Sequence, residues 1–213
     1  RFYDQVAKEQ AKIAEHKRKT AENGYYDRPH ATIFTPECKR QVAYGALGIP
    51  KDSLPDSRGH SIFATGLGIE GKLRALLTCA GIHIIEGAYE LPEWQAPDDD
   101  PIWVTPDGIL RIGPANNLDR QAFIANNGWD PGYEVPIEYK SISKKGFKEL
   151  SSKGVRDAKP NYYNQLLLEM AGTGLPAAVL LAENKNDQDL YEEWVQFDKE
   201  EYERLVTRYE DVY

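Results

Sequence analysis

Apolar and polar residues alternate along residues 135–142, and this alternation predicts a short β-strand. Successive side chains of a strand point to opposite faces, so its residues divide into two sets. One set is Val135, Ile137 and Tyr139, and the other is Pro136, Glu138 and Lys140. Glu138 and Lys140 therefore project together from a strand that is otherwise largely apolar. Taken alone, they are explained by a surface charge pair, but an acid beside an amine can also hold a metal ion and activate water.

Elsewhere the periodicity predicts helices and strands in mixed order. The predicted helices cover residues 2–22, 35–45, 60–79, 160–170 and 198–209, and the predicted strands cover residues 83–90, 102–104, 109–112, 177–182 and 190–197. Thr35 is the predicted N-cap of the second helix, with Pro36 at its first position. Residues 92–101 and 113–132 are predicted to be loops. This order predicts an α/β fold with a central mixed β-sheet flanked by helices.

Length and composition are those of a globular protein with one main domain. The 213 residues are 41% hydrophobic and 28% charged, which suffices for one well-buried core. We predict an N-terminal helix or arm at residues 1–34 and a single domain at residues 35–213. No apolar run approaches the roughly 20 residues that a membrane helix requires. Cys38 and Cys79 are too few for a disulfide framework, which favours a cytoplasmic location.

Charge is distributed unevenly along the chain. The net charge of −8 argues mildly against a nucleic-acid partner. Residues 144–159 reverse that balance, because they contain six cations and only two acids, Glu149 and Asp157. The cations are Lys144, Lys145, Lys148, Lys153, Arg156 and Lys159. Such a segment just after Glu138 and Lys140 predicts a DNA-binding surface, although a solvated loop would have the same composition.

Four polar features follow one another in the predicted elements. They are Gly66-x-x-x-Glu70 on a helix, Asp107 at a turn between two strands, Glu138-x-Lys140 on a strand, and Gln165 on the next helix. This series resembles the motifs of the PD-(D/E)xK nucleases, most closely their RecB-like branch with the lambda-type (YqaJ-like) phage exonucleases. The resemblance extends over roughly residues 35–197 and implies a restriction-endonuclease-like core.

The resemblance also implies catalysis with a divalent metal ion. Phosphodiester hydrolysis requires a cation held by oxygen ligands and an activated water molecule. Asp107 and Glu138 are the implied ligands of Mg²⁺ or Mn²⁺, and Glu70 would reach the ion directly or through water. The backbone carbonyl of Tyr139 is implied as a further oxygen ligand.

Two further residues receive roles from the same resemblance. Lys140 would orient or deprotonate the attacking water, with its pKa lowered by the metal charge. Gln165 would form hydrogen bonds within the site and fix its geometry. Simpler explanations exist as well, because Glu70 and Gln165 can lie on helix surfaces and Asp107 before a glycine is a common turn sequence.

The cysteines distinguish the chain from one group of relatives. The segment around Cys38 resembles the N-terminal part of RecB-like proteins that hold an iron–sulfur cluster on four cysteines. The chain has no cysteine after Cys79, and two thiolates cannot complete that cluster. We therefore expect no iron–sulfur cluster, with Cys38 a small buried helix residue and Cys79 packed within its helix.

The function that the resemblance implies is Mg²⁺-dependent exonuclease cleavage of DNA during phage DNA recombination, repair or replication. A single-strand-annealing or replication protein is then the expected protein partner, and no membrane is expected to take part. Two alternatives remain open. The same site would also suit a DNA endonuclease of the restriction or junction-resolving kind, and an inactive member of the fold would only bind nucleic acid. The filled catalytic positions favour an enzyme.

Overall fold

The computed structural model describes residues 31–36, 38–46, 55–95, 101–111, 117–128, 130 and 132–210. The predicted N-terminal helix at residues 2–22 lies outside them. The helices are α1 (Lys39–Ala46), α2 (Ser57–Cys79), α3 (Asn117–Asn127), α4 (Lys144–Ala158), α5 (Pro160–Thr173) and α6 (Lys199–Glu210). The strands are β1 (His83–Ile85), β2 (Tyr89–Gln95), β3 (Pro101–Val104), β4 (Gly108–Arg111), β5 (Glu134–Ile142), β6 (Ala177–Asn184) and β7 (Leu190–Gln196). None of the described helices is long and apolar enough to cross a membrane.

Within the described ranges, five strands form a mixed sheet in the order β1-β4-β5-β6-β7. β5 and β6 are parallel, and the other neighbours are antiparallel. Because parallel neighbours need a crossover connection, α4 and α5 link the end of β5 to the start of β6. β2 and β3 form a separate two-stranded sheet. The predicted fold class, a central mixed sheet flanked by helices, is therefore confirmed.

Apolar side chains pack on both faces of β5. On one face, Val135, Ile137 and Tyr139 form a buried cluster with Leu73 of α2, as the alternation along the strand predicts. On the other face, α5 contributes residues 166–168 to the larger core cluster. These three consecutive leucines are fully buried, so protein covers α5 around most of its circumference. The core thus fixes α2 and α5 on opposite faces of the same strand.

Two helices begin at residues that the sequence pattern did not predict. α2 begins at Ser57 rather than His60, because the Asp56 carboxylate accepts a hydrogen bond from the Gly59 N–H at 2.7 Å and caps the first turn. α1 begins at Lys39, so the prediction that Thr35 caps it is wrong. The Thr35 hydroxyl instead donates to the Thr32 carbonyl at 2.9 Å, within the preceding 3₁₀ turn.

Three predicted segments also differ from the structure. The single strand predicted at residues 83–90 is two strands, β1 and β2, which belong to different sheets. β2 continues to Gln95 into the predicted loop at residues 92–101. The long loop predicted at residues 113–132 contains α3, whose Phe123 ring lies 4.8 Å from the ring of Trp194 on β7. Tertiary packing on the sheet therefore orders a segment that had no clear apolar periodicity.

The basic segment forms the helix α4 rather than a loop. Gly154 interrupts this helix with φ +77° and ψ 168°, a backbone conformation that is almost exclusive to glycine. Glu193 of β7 stabilises the interruption, since its carboxylate accepts hydrogen bonds from the Val155 N–H at 2.7 Å and from the Tyr191 hydroxyl at 2.6 Å. The kink therefore ties α4 to the edge of the sheet.

Substitution of two helical glycines is expected to have opposite effects. Gly154→Ala should lower the free energy of unfolding by about 1–3 kcal/mol, because alanine is strained at this φ and ψ. A new Cβ at this position would also lie 3.1 Å from Glu193 Oε1. Gly68→Ala should raise the free energy of unfolding by roughly 0.5–1 kcal/mol, because that exposed position on α2 has open space around it. Urea unfolding of both variants measures the difference, and shifts of the same sign would contradict it.

Candidate active site

β5 directs Glu138 and Lys140 toward α5. The Lys140 ammonium group donates to the Glu138 carboxylate and, at 3.2 Å, to Gln165 Oε1 of α5. Glu138 is only 2% exposed. Three of the residues singled out in the sequence therefore meet in one hydrogen-bonded group, although they come from a strand and from a helix 25 residues further along the chain.

Asp107 lies beside this group, in the turn just before β4. Its Oδ2 accepts a hydrogen bond from the Tyr139 N–H at 2.8 Å. Its backbone carbonyl accepts another from the Arg74 guanidinium group of α2. Close packing at the next residue requires glycine, because a Cβ on Gly108 would lie 2.5 Å from Ile84 Cγ2. The turn is thus held by α2, β1 and β5 together.

Glu70 of α2 is the fifth predicted site residue, and electrostatics place it near the others. Burial and the Asp107 carboxylate raise the pKa of Glu70, while Arg74 and Lys140 oppose the rise. Arg74 follows Glu70 by one helical turn, so the two side chains share a face of α2. All five predicted residues, Glu70, Asp107, Glu138, Lys140 and Gln165, therefore belong to one charged cluster.

Burial and neighbouring charges together set the protonation of this cluster. Burial raises the pKa of Glu138 to about 7, with Lys140 opposing the rise and Asp107 adding to it. Burial also lowers the pKa of Lys140, but the Glu138 carboxylate outweighs that effect, so the pKa lies above its ordinary value. A bound cation would act against this rise. In the geometry described, Lys140 is an ammonium group that donates hydrogen bonds.

Glu169 is a site residue that the sequence pattern did not reveal. It lies one turn after Gln165 on α5, it is fully buried, and its Oε1 accepts a hydrogen bond from Gln165 Nε2 at 3.1 Å. Burial and the neighbouring Glu138 carboxyl group raise its pKa well above the usual range. The spacing of four residues between Gln165 and Glu169 was the available signal, but on α5 such a pair is also typical of a solvated helix face.

The donor groups suit a hard cation that keeps part of its water shell. Within the described ranges, no three His, Cys, Asp or Glu side chains lie close enough together to enclose a metal ion. Mg²⁺ needs fewer, since it is usually held by one or two carboxylates and retains several waters. Glu138 Oε2 is buried and has no hydrogen-bond partner among the residues that the structure describes, and the Asp107 carboxylate is its neighbour. These two carboxylates and the Tyr139 carbonyl oxygen therefore fit Mg²⁺ or Mn²⁺.

A cleft of about 570 Å³ opens beside the charged cluster, between α2 and α5. Glu70, Tyr139 and Lys140 form part of its lining. Its outer wall is apolar, formed by Ile62, Phe63 and Leu67 of α2, which are exposed to solvent. The Tyr162 ring of α5 faces them, with its centroid 5.0 Å from Lys140 Nζ. The site thus combines charged groups at its base with exposed apolar and aromatic surfaces at its mouth.

The predicted DNA-binding cations fall into two groups. Four of them form ion pairs: Lys144 with Asp187 at 3.4 Å, Lys153 with Glu149 at 3.4 Å, Arg156 with Asp198 at 3.0 Å, and Lys159 with Glu149 at 3.6 Å. Lys145 and Lys148 are exposed and have no ion pair among the residues that the structure describes. The unpaired positive charge of α4, on Lys145 and Lys148, therefore lies near the N-terminus of the helix.

Neither cysteine is buried as predicted. Cys38 is exposed and lies just before α1 rather than within it, because that helix begins at Lys39. Cys79 is the last residue of α2 and is also exposed. The predicted packing of Cys38 and of Cys79 is therefore wrong.

Comparison with solved structures shows the fold of the chain. No family model matches the chain, and no curated protein matches it in sequence. Among solved structures, the chain is similar to an alkaline exonuclease (LHK-Exo) from Laribacter hongkongensis, with a TM-score of 0.53 and 14% identity over 87% of this chain and 85% of that one. LHK-Exo in complex with dAMP gives a TM-score of 0.54 at the same identity and coverage. SSO0001 gives 0.51 with 18% identity, over 96% of this chain and 88% of that one. The chain therefore shares its fold with LHK-Exo and with SSO0001.

Proposed function

We propose that the chain is a Mg²⁺- or Mn²⁺-dependent DNA exonuclease. The observation that carries this proposal is the meeting of Asp107, Glu138, Lys140 and Gln165 in one cluster, next to a cleft that Lys140 lines. These residues come from three separate elements, so their meeting does not follow from any local sequence pattern. The fold of alkaline exonucleases supports the same class of reaction.

Asp107, Glu138 and the Tyr139 carbonyl would hold the cation, with Glu70 reaching it directly or through water. When bound, such a cation supplies positive charge to the phosphodiester and makes a bound water more acidic. Lys140 then orients the attacking water, because its ammonium group is a donor held in place by Glu138 and Gln165. Gln165 acts on the reaction only through Lys140.

The cleft favours a strand end over continuous duplex. Nucleobases stack on aromatic and apolar side chains, at roughly 1–3 kcal/mol per base. Phe63 is 58% exposed and, with the Tyr162 ring, offers such surfaces next to Lys140. Bases inside a duplex are already stacked on one another, so an unpaired end uses these surfaces best. An endonuclease would use the same chemistry, but it would not require a strand end.

The resemblance to lambda-type phage enzymes supports a role in phage DNA recombination, repair or replication. It also supports a single-strand-annealing or replication protein as partner, and a cytoplasmic location. An inactive DNA-binding module is a weaker candidate, because every position of the site carries a residue with suitable chemistry.

The unpaired cations of α4 are expected to contribute most of its DNA affinity. Lys145→Gln combined with Lys148→Gln should weaken DNA binding and reduce the salt dependence of log K by a slope of roughly 0.9 for each lost phosphate contact. Lys153→Gln combined with Lys159→Gln removes the same charge, but these two lysines are already paired with Glu149. Binding titrations at several salt concentrations measure the affinity of both double variants. An equal loss of affinity in the two would contradict the larger role of Lys145 and Lys148.

Digestion of 5′- and 3′-end-labelled linear DNA tests the proposed function. We expect labelled nucleotides or short oligonucleotides to be released with Mg²⁺ or Mn²⁺ and none with EDTA. The Asn164→Ala variant is a suitable control, because Asn164 is buried on α5 but donates to the Thr35 carbonyl, away from the charged cluster. Failure to release any product with either cation, or equal release in EDTA, would refute the proposal.

A further inference from the structure

Glu169 has a defined effect on its neighbour Gln165. The Gln165 side chain bridges two groups, since its Oε1 accepts from Lys140 Nζ at 3.2 Å and its Nε2 donates to Glu169 Oε1 at 3.1 Å. Lys140 can only donate and the Glu169 oxygen accepts here, so both contacts are satisfied in one orientation of the amide. Rotation of the amide by 180° would turn its NH₂ group toward the Lys140 ammonium group and its oxygen toward Glu169 Oε1.

A carboxyl group is not what packing alone would place at this position. Glu169 follows the three buried leucines at residues 166–168, precedes the buried Met170, and is itself fully buried. A carboxyl group at a buried site loses its hydration, and apolar residues of similar volume are usually as stable or more stable there. Its contact with Gln165 is therefore better explained by an effect on the site than by an effect on stability.

We propose that Glu169 is a positioning residue that fixes the orientation of the Gln165 amide and thereby holds Lys140 in place. The expected effect of Glu169 on cleavage rests on the proposed nuclease function, whereas its effect on the orientation of the Gln165 amide does not. Glu169 itself does not contact substrate, and it acts through Gln165 and Lys140, although the Glu138 carboxyl group is also its neighbour.

Four variants test this proposal. Glu169→Gln keeps the size of the side chain but can both donate and accept, so it no longer selects one orientation of Gln165. Glu169→Met keeps the volume without any polar atom, and it covers the case in which the glutamine variant does not fold. Gln165→Ala removes the side chain that Glu169 orients. Asn164→Ala disturbs a buried polar residue on the same helix that does not touch the cluster.

The first measurement does not depend on cleavage. The side-chain NH₂ resonances of Gln165 are assigned in ¹H–¹⁵N spectra by their loss in Gln165→Ala. We expect Glu169→Gln or Glu169→Met to displace these resonances and to speed their hydrogen exchange about tenfold, the upper end for an ordinary hydrogen bond. Asn164→Ala should leave them in place. Unchanged Gln165 resonances in a folded Glu169 variant would overturn the proposal, even if the wild type cleaves no DNA.

The second measurement is a double-mutant cycle in kcat. Glu169→Gln should lower kcat about tenfold with little change in KM for DNA, because the substrate does not contact Glu169. In the Gln165→Ala background the same substitution should cost no more than about threefold, because the residue that Glu169 orients is absent. If the loss of kcat in the double variant equalled the product of the losses in the two single variants, Glu169 would not act through Gln165 and the proposal would be overturned. A wild type without nuclease activity would refute the proposed function and leave the spectral test to decide the role of Glu169.

Discussion

Replacement of Asp107, Glu138 or Lys140 by alanine is expected to lower the rate of DNA hydrolysis by at least about a thousandfold, or about 4 kcal/mol of barrier. Asp107 and Glu138 are the carboxylates best placed to hold the cation, and Lys140 donates beside them. In the proposed mechanism, loss of either carboxylate would remove a cation ligand, and loss of the amine would remove the group that orients water. Rates at saturating DNA and Mg²⁺ measure each effect.

Glu134→Ala is the matched control for these three variants. Glu134 lies on the same strand, β5, but its carboxylate pairs with Arg111 at 2.7 Å and is partly exposed. A surface ion pair contributes little to stability, so this variant should fold and cleave DNA at nearly the normal rate. Near-normal hydrolysis by all three site variants, with folded protein shown by circular dichroism, would contradict the assigned site.

The largest effect on stability is expected from the buried leucines of α5. Leu167→Ala should lower the free energy of unfolding by about 2–5 kcal/mol, because it leaves a cavity in the main core cluster. The matched substitution Leu190→Ala, on the edge strand β7, removes a side chain that is 54% exposed and should cost less than about 1 kcal/mol. Guanidinium unfolding compares the two, and similar losses would contradict the assignment of α5 to the core.

Strong local periodicity explains what the sequence predicted well. β5 alternates clearly, so both its faces and the joint projection of Glu138 and Lys140 followed from spacing alone. Gln165 lay on a helix that Pro160 begins and Gly174 ends, and the structure has that helix at Pro160–Thr173. Where one period dominates a segment, elementary side-chain geometry is enough to predict the element and its faces.

The remaining features depend on partners that are distant in sequence. The cations Lys144 and Arg156 are neutralised by Asp187 and Asp198, which lie on other elements, so the composition of α4 alone overstated its free positive charge. The four-residue spacing between Gln165 and Glu169 also occurs on solvated helix faces, and only the packing of protein around α5 shows that Glu169 is buried. The split of the strand predicted at residues 83–90 was decided by which sheet each half joins. Local propensity does not contain that information.

The proposed function requires DNA to be cleaved from an end, at this cleft, with a divalent cation. The most direct measurement compares linear DNA with covalently closed circular duplex of the same sequence, each incubated with Mg²⁺ and followed by electrophoresis over time. We expect the linear DNA to be degraded progressively and the closed circles to persist, because a strand end must reach Lys140 past the apolar wall of Ile62, Phe63 and Leu67. Conversion of closed circles to linear molecules at a rate similar to the digestion of linear DNA would contradict the claim and favour an endonuclease.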